Sequence, residues 1–500
     1  MNENSVVIRY LKKLGYNPQT DYYSNISYWK EWWQNSVKKF HEYHDQNGDK
    51  RELYKLGMAK RGCEDWSSIL YTEKDSMVCN NSTNQKYLDQ QLKKMKFDDV
   101  IPDNIENAFW SGTVGTIVRI QNAILEKSEL KADDKTEINL INVTADKIIP
   151  LRIENGKIID VAFVSQTIKE DKKTYYIEIH ELKDDGYVIK NIFIDEDGNE
   201  TDKDGIIKEY STHSEIPLFD LLSPRIVNNL ENNNGLGISI YANAIDQLMN
   251  VDIAYNNYVM DTVLGGKKVF YNKSLIKYNT RQITDKTTGE TVTQELPVYP
   301  DDITKQQFKI LDGDMSSAND DALIHEYNPL LRVDENENNI NLALNLYAFK
   351  IGLGKSRYKF ENGAVVTATQ YIGENQDLVS NAKKHRNALN NYTVGISRAV
   401  LLLGRILFNA GTDENDEITL TNKDGFLVDD ETLQQQYRED FKSGLMSKVT
   451  YLMKARGMTK EQAEEEIRLA NEDNPQVKDI LGTKNEDNEE EELIWNLLLN

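Results

Sequence analysis

Three short stretches of this chain carry residue types at spacings that could do chemistry. The first, "GLGKS" at 352–356, suggests a phosphate cradle. The full pattern needs a glycine five positions before Gly354, and that position is Phe349, inside an apolar helical run with no strand before it. The second, "DEDGNETDKDG" at 195–205, has the outline of a calcium loop. With Gly205 in sixth place the first position is Glu200 and the twelfth is Ser211, not Glu, and strands flank it, so a polar hairpin tip is expected. The third is "HEYH", where His41 and His44 would share one helix face but no third ligand accompanies them at metal spacing. Serine-nucleophile and zinc-protease motifs are absent, and carboxylates are too abundant for any pair to stand out. No catalytic residue, metal site or cofactor is predicted.

A cationic loop is the remaining feature. Lys355, Arg357 and Lys359 alternate with Ser356, Tyr358 and Phe360, and Gly354 and Gly363 flank them as hinges. Alone, such a segment reads as a solvated loop. Its setting is less ordinary. It leaves a helix expected at about 335–352 and enters a capping box, Thr367 with Gln370, that opens a far longer one. Apolar or small positions continue from 371 to 410 in three- and four-residue steps, a rod of about 66 Å. Asn375 and His385 interrupt that stripe and are expected to be satisfied at a packed seam. Lys383, Lys384 and Arg386 form a second, weaker basic cluster on the same helix.

The elements that must position this loop follow from periodicity. Residues 1–80 read as helical and aromatic-rich, with a second helix at roughly 51–71 on which Cys63 belongs to the apolar stripe. A helical pair follows near 84–112. Between 113 and 212 the period changes to two, in strands separated by "ENGK", "EDKK" and "DDG" turns, which predicts a mostly antiparallel sheet. A turn at Asn233, Asn234, Gly235 and Gly237 leads into a helix that stops at Gly265-Gly266. Residues 267–333 then read as a small β-rich insertion, so two helices flank an inserted domain. The region 428–480 is helical, with Ser447 and Thr459 opening helices. The fold class is α+β.

Composition sets the outer bounds. Five hundred residues imply several folding units. The chain holds 59 Lys plus Arg against 82 Asp plus Glu, a net charge of −23, which argues against general coating of nucleic acid but allows a small cationic patch. Two cysteines cannot make a disulfide framework. "MNENSVVIRYLKKLGYNPQ" lacks a secretory apolar core, and "AVLLLGRILF" is too short to span a bilayer, so a soluble protein made in the cytoplasm, with no membrane partner, is expected.

Four segments, in order, carry a resemblance. "YKLGMAKRGCEDWSSILYTEK", "NNLENNNGLGISIYANAIDQLMNVDIAYNNYVMD", "NLYAFKIGLGKSRYKFENGAVVTATQYIGENQDL" and "FKSGLMSKVTYLMKARGMTKEQAEEEI" resemble the amino-terminal helix motif, first stem helix, second stem helix with tunnel loop, and carboxyl-terminal helices of the portal proteins of tailed, long-tailed-type bacteriophages of Gram-positive hosts. The resemblance implies a homo-oligomeric ring, typically of about twelve subunits, at one capsid vertex of the virion, assembled in the host cytoplasm. Double-stranded DNA would pass through its channel in packaging and ejection. Partners would be the terminase large subunit, a head-completion adaptor, and the major capsid and scaffold proteins. Projected onto this chain, the wing is 1–234 with the long helix and wing continuation at 367–427. The stem helices are 235–266 and 334–352, the clip is 267–333, the tunnel loop is 353–366 and the crown is 428–482. The acidic tail at 483–500 reads as disordered. Lys355, Arg357 and Lys359 become DNA-channel candidates, Gly354 and Gly363 the loop hinges, and Ile245, Leu248, Tyr255 and Tyr258 stem-packing residues. The resemblance implies no enzymatic activity, since the motor's ATPase belongs to the terminase. The competing readings are a nucleotide-binding enzyme built on "GLGKS", a monomeric protein-binding module, and a portal-like protein of a prophage remnant or tail-like particle.

Overall fold

The computed structural model describes residues 5–18, 20, 22–45, 48–71, 76–126, 129–169, 172–203, 205–230, 235–272, 278–284, 291–297, 308–311, 324–355, 357–358, 376–421, 430–456, 458 and 460–473. The chain divides into two units, Met1–Asn422 and Lys423–Asn500.

The first unit opens with α1 (Ser5–Lys13), α2 (Tyr23–Trp33) and the single turn α3 (Lys38–His41), followed by a hairpin of β1 (Glu42–His44) and β2 (Lys50–Glu52). The helix expected from about 51 starts later, as α4 (Met58–Leu70). Tertiary bonds keep the preceding chain extended: the Leu53 amide donates to the His41 carbonyl (2.9 Å), and the Leu56 amide to Asp252 Oδ1 (2.9 Å). The first eighty residues are therefore not wholly helical, and β3 (Ser76–Cys79) is a further strand among them.

The helical pair is α5 (Ser82–Lys94), capped by the Asn81 side chain accepting from the Thr83 amide, and α6 (Phe97–Ser111). Alternating sequence then becomes β4 (Val114–Gln121), β5 (Ile124–Glu126), β6 (Glu129–Lys131), β7 (Glu137–Thr144), β8 (Ile148–Glu154), β9 (Lys157–Lys169), β10 (Lys172–Lys183), β11 (Gly186–Asp195), β12 (Glu209–Ser211) and β13 (Phe219–Leu222). They form an antiparallel sheet of order β12-β11-β10-β9-β8, a second of order β13-β4-β7, and the β5-β6 hairpin. Buried Glu178 on β10 joins the two sheets by accepting from Arg119 Nε on β4 (2.8 Å), and it also meets His180 Nε2 (3.0 Å). Burial alone would raise the Glu178 carboxyl, but His180 and Arg119 outweigh it and hold the group below its ordinary range.

The next helix is α7 (Ile245–Leu264), ten residues shorter at its start than the stem segment projected from 235. Residues 236–241 are held irregular by the core: the Ile240 amide and Ser239 hydroxyl both donate to the Phe109 carbonyl, and the Tyr241 hydroxyl donates to the Trp29 carbonyl (2.8 Å). The insertion follows as β14 (Lys268–Asn272), β15 (Tyr278–Thr284), β16 (Thr291–Pro297), β17 (Phe308–Leu311) and β18 (Ile324–Tyr327). β14 lies between parallel β17 and antiparallel β18, while β15 pairs with β16. β15 is a strand the sequence did not announce, because "YNTRQIT" lacks apolar alternation.

α8 (Val333–Lys350) returns the chain to the core. α9 (Gln376–Ile406) buries Leu378, Leu389, Tyr392, Ile396 and the run Ala399–Leu403. Its 31 residues measure about 46 Å. The expected start at Thr367, like Asn375, lies outside the described residues. The end comes four residues before 410, because Asn409 turns left-handed (φ 50°) and the Ala410 amide reaches back to the Gly404 carbonyl. β19 (Ile418–Thr421) then pairs antiparallel with β3. Tyr392 ties α9 to the layer beneath through Asn104, whose Nδ2 donates to its hydroxyl (3.0 Å) and to Asn142 Oδ1 (3.0 Å).

The second unit contains α10 (Asp430–Lys442), α11 (Lys448–Arg456) and α12 (Lys460–Asp473). Ser447 caps α11 as expected, its hydroxyl accepting from the Thr450 amide (3.1 Å), and Phe441 stacks on Tyr451. Thr459 lies outside the described residues.

Candidate functional site

α7 and α8 pack together as an antiparallel pair, with the β-rich insertion between them in sequence. At the insertion end, Asp261 of α7 accepts two bonds from Arg332 Nη2 (2.7 Å each) and one from Asn336 Nδ2 (2.9 Å). The Arg332 guanidinium holds the Asp261 carboxyl below its usual range, with Asn336 adding to the effect. Of the stem candidates, Leu248 is buried, Ile245 and Tyr255 are half-buried and Tyr258 is exposed. Along α8, Leu342, Leu346 and Phe349 are exposed at i, i+4 and i+7, while Leu344, Tyr347 and Ala348 are buried.

The other end of α8 runs into the candidate loop through a tight C-terminal cap. Gly352 adopts φ 84°, the Leu353 amide donates to the Ala348 carbonyl (2.9 Å), and the Gly352 amide donates to the Phe349 carbonyl (3.2 Å). This paired-bond cap needs a left-handed residue, and glycine takes that conformation without a side-chain penalty. "GLGKS" is thus a helix C-terminus. Its carbonyls carry partial negative charge, whereas a phosphate cradle uses the amides of a helix N-terminus.

Neighbouring helices grip this cap. Trp66 Nε1 on α4 donates to the Ile351 carbonyl (3.0 Å), and Asn381 Nδ2 on α9 donates to the Gly352 carbonyl (3.2 Å). The Tyr347 hydroxyl donates to the Met58 carbonyl (2.9 Å). At Gly62 a Cβ would lie 2.5 Å from Tyr347 Oη, so the close approach of the two helices depends on glycine there. His385 sits on the same cluster, 4.8 Å from Trp66 and 5.0 Å from Phe109 between ring centroids, with Nδ1 accepting from the Arg225 amide (3.0 Å). Burial, with a smaller push from Lys384, lowers its pKa to about 4, so it is a neutral acceptor.

The loop cations are not alike. Lys355 is exposed, with Nζ 5.9 Å from the centre of the Phe349 ring, and it has no carboxylate partner among the described residues. Arg357 is turned inward: Nη2 lies 3.6 Å from Asp65 Oδ1, and the Asp65 side chain is only 5 % exposed. Arg61 engages the same carboxylate (Nη2 2.9 Å, Nε 3.2 Å). Tyr358 stacks on Tyr347, centroids 6.5 Å apart and planes 20° from parallel. Gly354 is left-handed (φ 82°). Lys359 and Gly363 lie outside the described residues. In the second basic cluster Lys383 and Lys384 are exposed, but Arg386 is buried, so the three do not form one surface patch.

The remaining motifs resolve as structure. Asp195 holds its own hairpin turn, Oδ1 accepting from the Asp197 (3.0 Å) and Asn199 (2.8 Å) amides. His44 is on β1, not on a helix with His41, and His41 Nε2 meets Asp252 Oδ2 of α7 at 2.9 Å, both side chains buried. Among the described residues no group of three or more His, Cys, Asp or Glu is placed to hold a metal ion, and no helix is long and apolar enough to cross a membrane. Sequence reasoning missed Asp65, Asp252 and Asp261 altogether. Each is one carboxylate among 82 acidic residues, and only the fold brings its partner near.

No protein-family model matches the chain, and no curated protein matches it. Among solved structures, a chain of the virion of a native gene transfer agent particle is similar at 10% identity and TM-score 0.41, over 90% of this chain and 98% of that one. A chain of the neck of a native gene transfer agent particle, computed with C12 symmetry, is similar at 8% identity and TM-score 0.38, over 79% of this chain and 88% of that one.

Proposed function

We propose that the chain is a portal-type subunit: a homo-oligomeric ring of about twelve copies at one capsid vertex, through which double-stranded DNA is packaged and ejected. The observation that carries this reading is the stem. Two antiparallel helices bracket a β-rich insertion and leave an apolar stripe, Leu342, Leu346 and Phe349, exposed on α8. A helix already packed on one neighbour and still apolar on another face calls for a second partner. Ring closure supplies the same partner to every copy. The four ordered segments that resemble portal proteins support the same conclusion, with the insertion as the docking element for the terminase large subunit and the head-completion adaptor.

The chemistry suits a conduit. A body of net charge −23 repels phosphate and keeps a duplex off the wall, while a few cations after α8, Lys355 and Lys359, provide weak, exchangeable contacts. Phosphate contacts carry no sequence information, which a channel for a whole genome requires. The chain needs no nucleotide of its own, in keeping with the carbonyl end of α8 standing where a phosphate cradle would need amides.

Native mass spectrometry with negative-stain imaging of the purified full-length chain tests the reading. A closed ring with a central hole is the expected result. A monomer that binds ATP would overturn it. In assembled particles, replacing Lys355 and Lys359 by Ser should leave the ring intact and impair packaging or retention of DNA.

A further inference from the structure

The first residues after α8 are bound to α4 by a set of interactions confined to one helix face. Met58, Arg61, Gly62, Asp65 and Trp66 recur at i, i+3, i+4, i+7 and i+8, and each receives part of the chain between Tyr347 and Tyr358 or the carboxylate that does so. Trp66 takes the Ile351 carbonyl, Gly62 makes room for Tyr347, and Asp65 takes Arg357. Tyr358 closes the set by stacking on Tyr347. Lys355, between these anchor points, points outward and is exposed.

We propose that Arg357, with Tyr358, anchors the root of the loop on α4 through Asp65 and is a positioning residue, while Lys355 is the phosphate-facing cation of this described stretch. The buried Asp65 carboxylate attracts the part-exposed Arg357 guanidinium across less screening solvent than a fully solvated carboxylate would. An arginine so held has its charge already answered within its own subunit. The exposed Lys355 ammonium has no such answer among the described residues and is available to a passing phosphate. The part of this inference that concerns DNA rests on the proposed function; the anchor itself does not.

Two measurements separate these parts. Hydrogen–deuterium exchange on the full-length protein follows the peptide covering 351–358. Arg357→Ala and Asp65→Asn should each raise its exchange, the double variant should raise it no further, and Lys355→Ala should leave it unchanged. Because Asp65→Asn also releases Arg61, Arg61→Ala is the matching control, and it should perturb 351–358 less than Arg357→Ala does. Unchanged exchange in Arg357→Ala would overturn the anchor. The second measurement is duplex DNA binding to the assembled protein as a function of salt. Lys355→Ala should flatten the dependence of log K on log salt by about 0.9 for each phosphate that is no longer neutralised, and Arg357→Ala should leave that slope as it is. An equal flattening by Arg357→Ala, with Asp65→Asn steepening the slope, would make Arg357 a phosphate ligand and overturn the proposal. If no variant or wild type shows any salt-dependent binding, the channel reading fails, and the exchange experiment still decides the anchor.

Discussion

The two ends of α8 are fastened in opposite ways. At the insertion end, a single Arg332 nitrogen, Nη2, is shared between both Asp261 oxygens at 2.7 Å each, but the Arg332 side chain is 68 % exposed. At the loop end, Arg357 approaches Asp65 at only 3.6 Å, yet that carboxylate is almost wholly out of water and also binds Arg61, while Trp66 and Asn381 hold the neighbouring Ile351 and Gly352 carbonyls. Bond length alone ranks the first end above the second. Solvent counts against that order: the Arg332 guanidinium is 68 % exposed and well screened by water and salt, whereas Arg357 is 27 % exposed against a carboxylate that is 5 % exposed, and that pair is screened less.

The largest loss at the loop end of α8 is expected at Trp66. Trp66→Ala removes a fully buried ring and the donor to the Ile351 carbonyl, and should cost about 3–5 kcal/mol in chemical unfolding of the full chain. Protonation of His385 should come next. Its folded pKa lies near 4, below the ordinary 6.5, so the unfolded chain takes up a proton first as pH falls. Stability from this site is complete above about pH 6.5 and is lost between there and about pH 4, by up to about 3 kcal/mol. Urea midpoints measured across that window, with His385→Gln flattening the loss, are the check. Gly62→Ala should be milder, at about 1–3 kcal/mol, since a Cβ 2.5 Å from Tyr347 Oη forces a buried ring to shift. The smallest effect belongs to the exposed clamp: Arg332→Ala should barely move the midpoint, and added salt should erase what difference there is. A large, salt-resistant loss from Arg332→Ala would invert the ranking of the two ends.

How far the sequence disclosed this arrangement depended on the distance over which each feature was decided. Periodicity announced β4, β7, β9, β10 and β11, the helices around the insertion and the Ser447 cap, because those signals lie within a few residues of one another, while β8 was not announced. It failed where tertiary bonds override local preference. The stretch before Met58 reads as helix but is drawn straight by His41 and Asp252, and residues 236–244 are held irregular by Phe109 and Trp29. The loop shows the same limit within a single motif. The alternation of Lys355, Arg357 and Lys359 suggested three equivalent cations, and nothing local marked Arg357 as different. The pairing that distinguishes it comes from a helix far upstream, as does the Trp66 bond to Ile351, which spans 285 residues.

One of the smallest elements sets a timetable for synthesis. Among the described residues β3 pairs with β19 alone, and Asn80 beside it reaches Glu417 across 337 residues of chain. At about 5–20 residues per second, roughly 17–67 s separate the emergence of the two partners. During that interval the nascent chain carries the β3 segment without its partner, and open strand edges recruit other strands. Pairing of β3 is therefore paced by the ribosome, and a premature stop just before Ile418 would leave that edge without its partner.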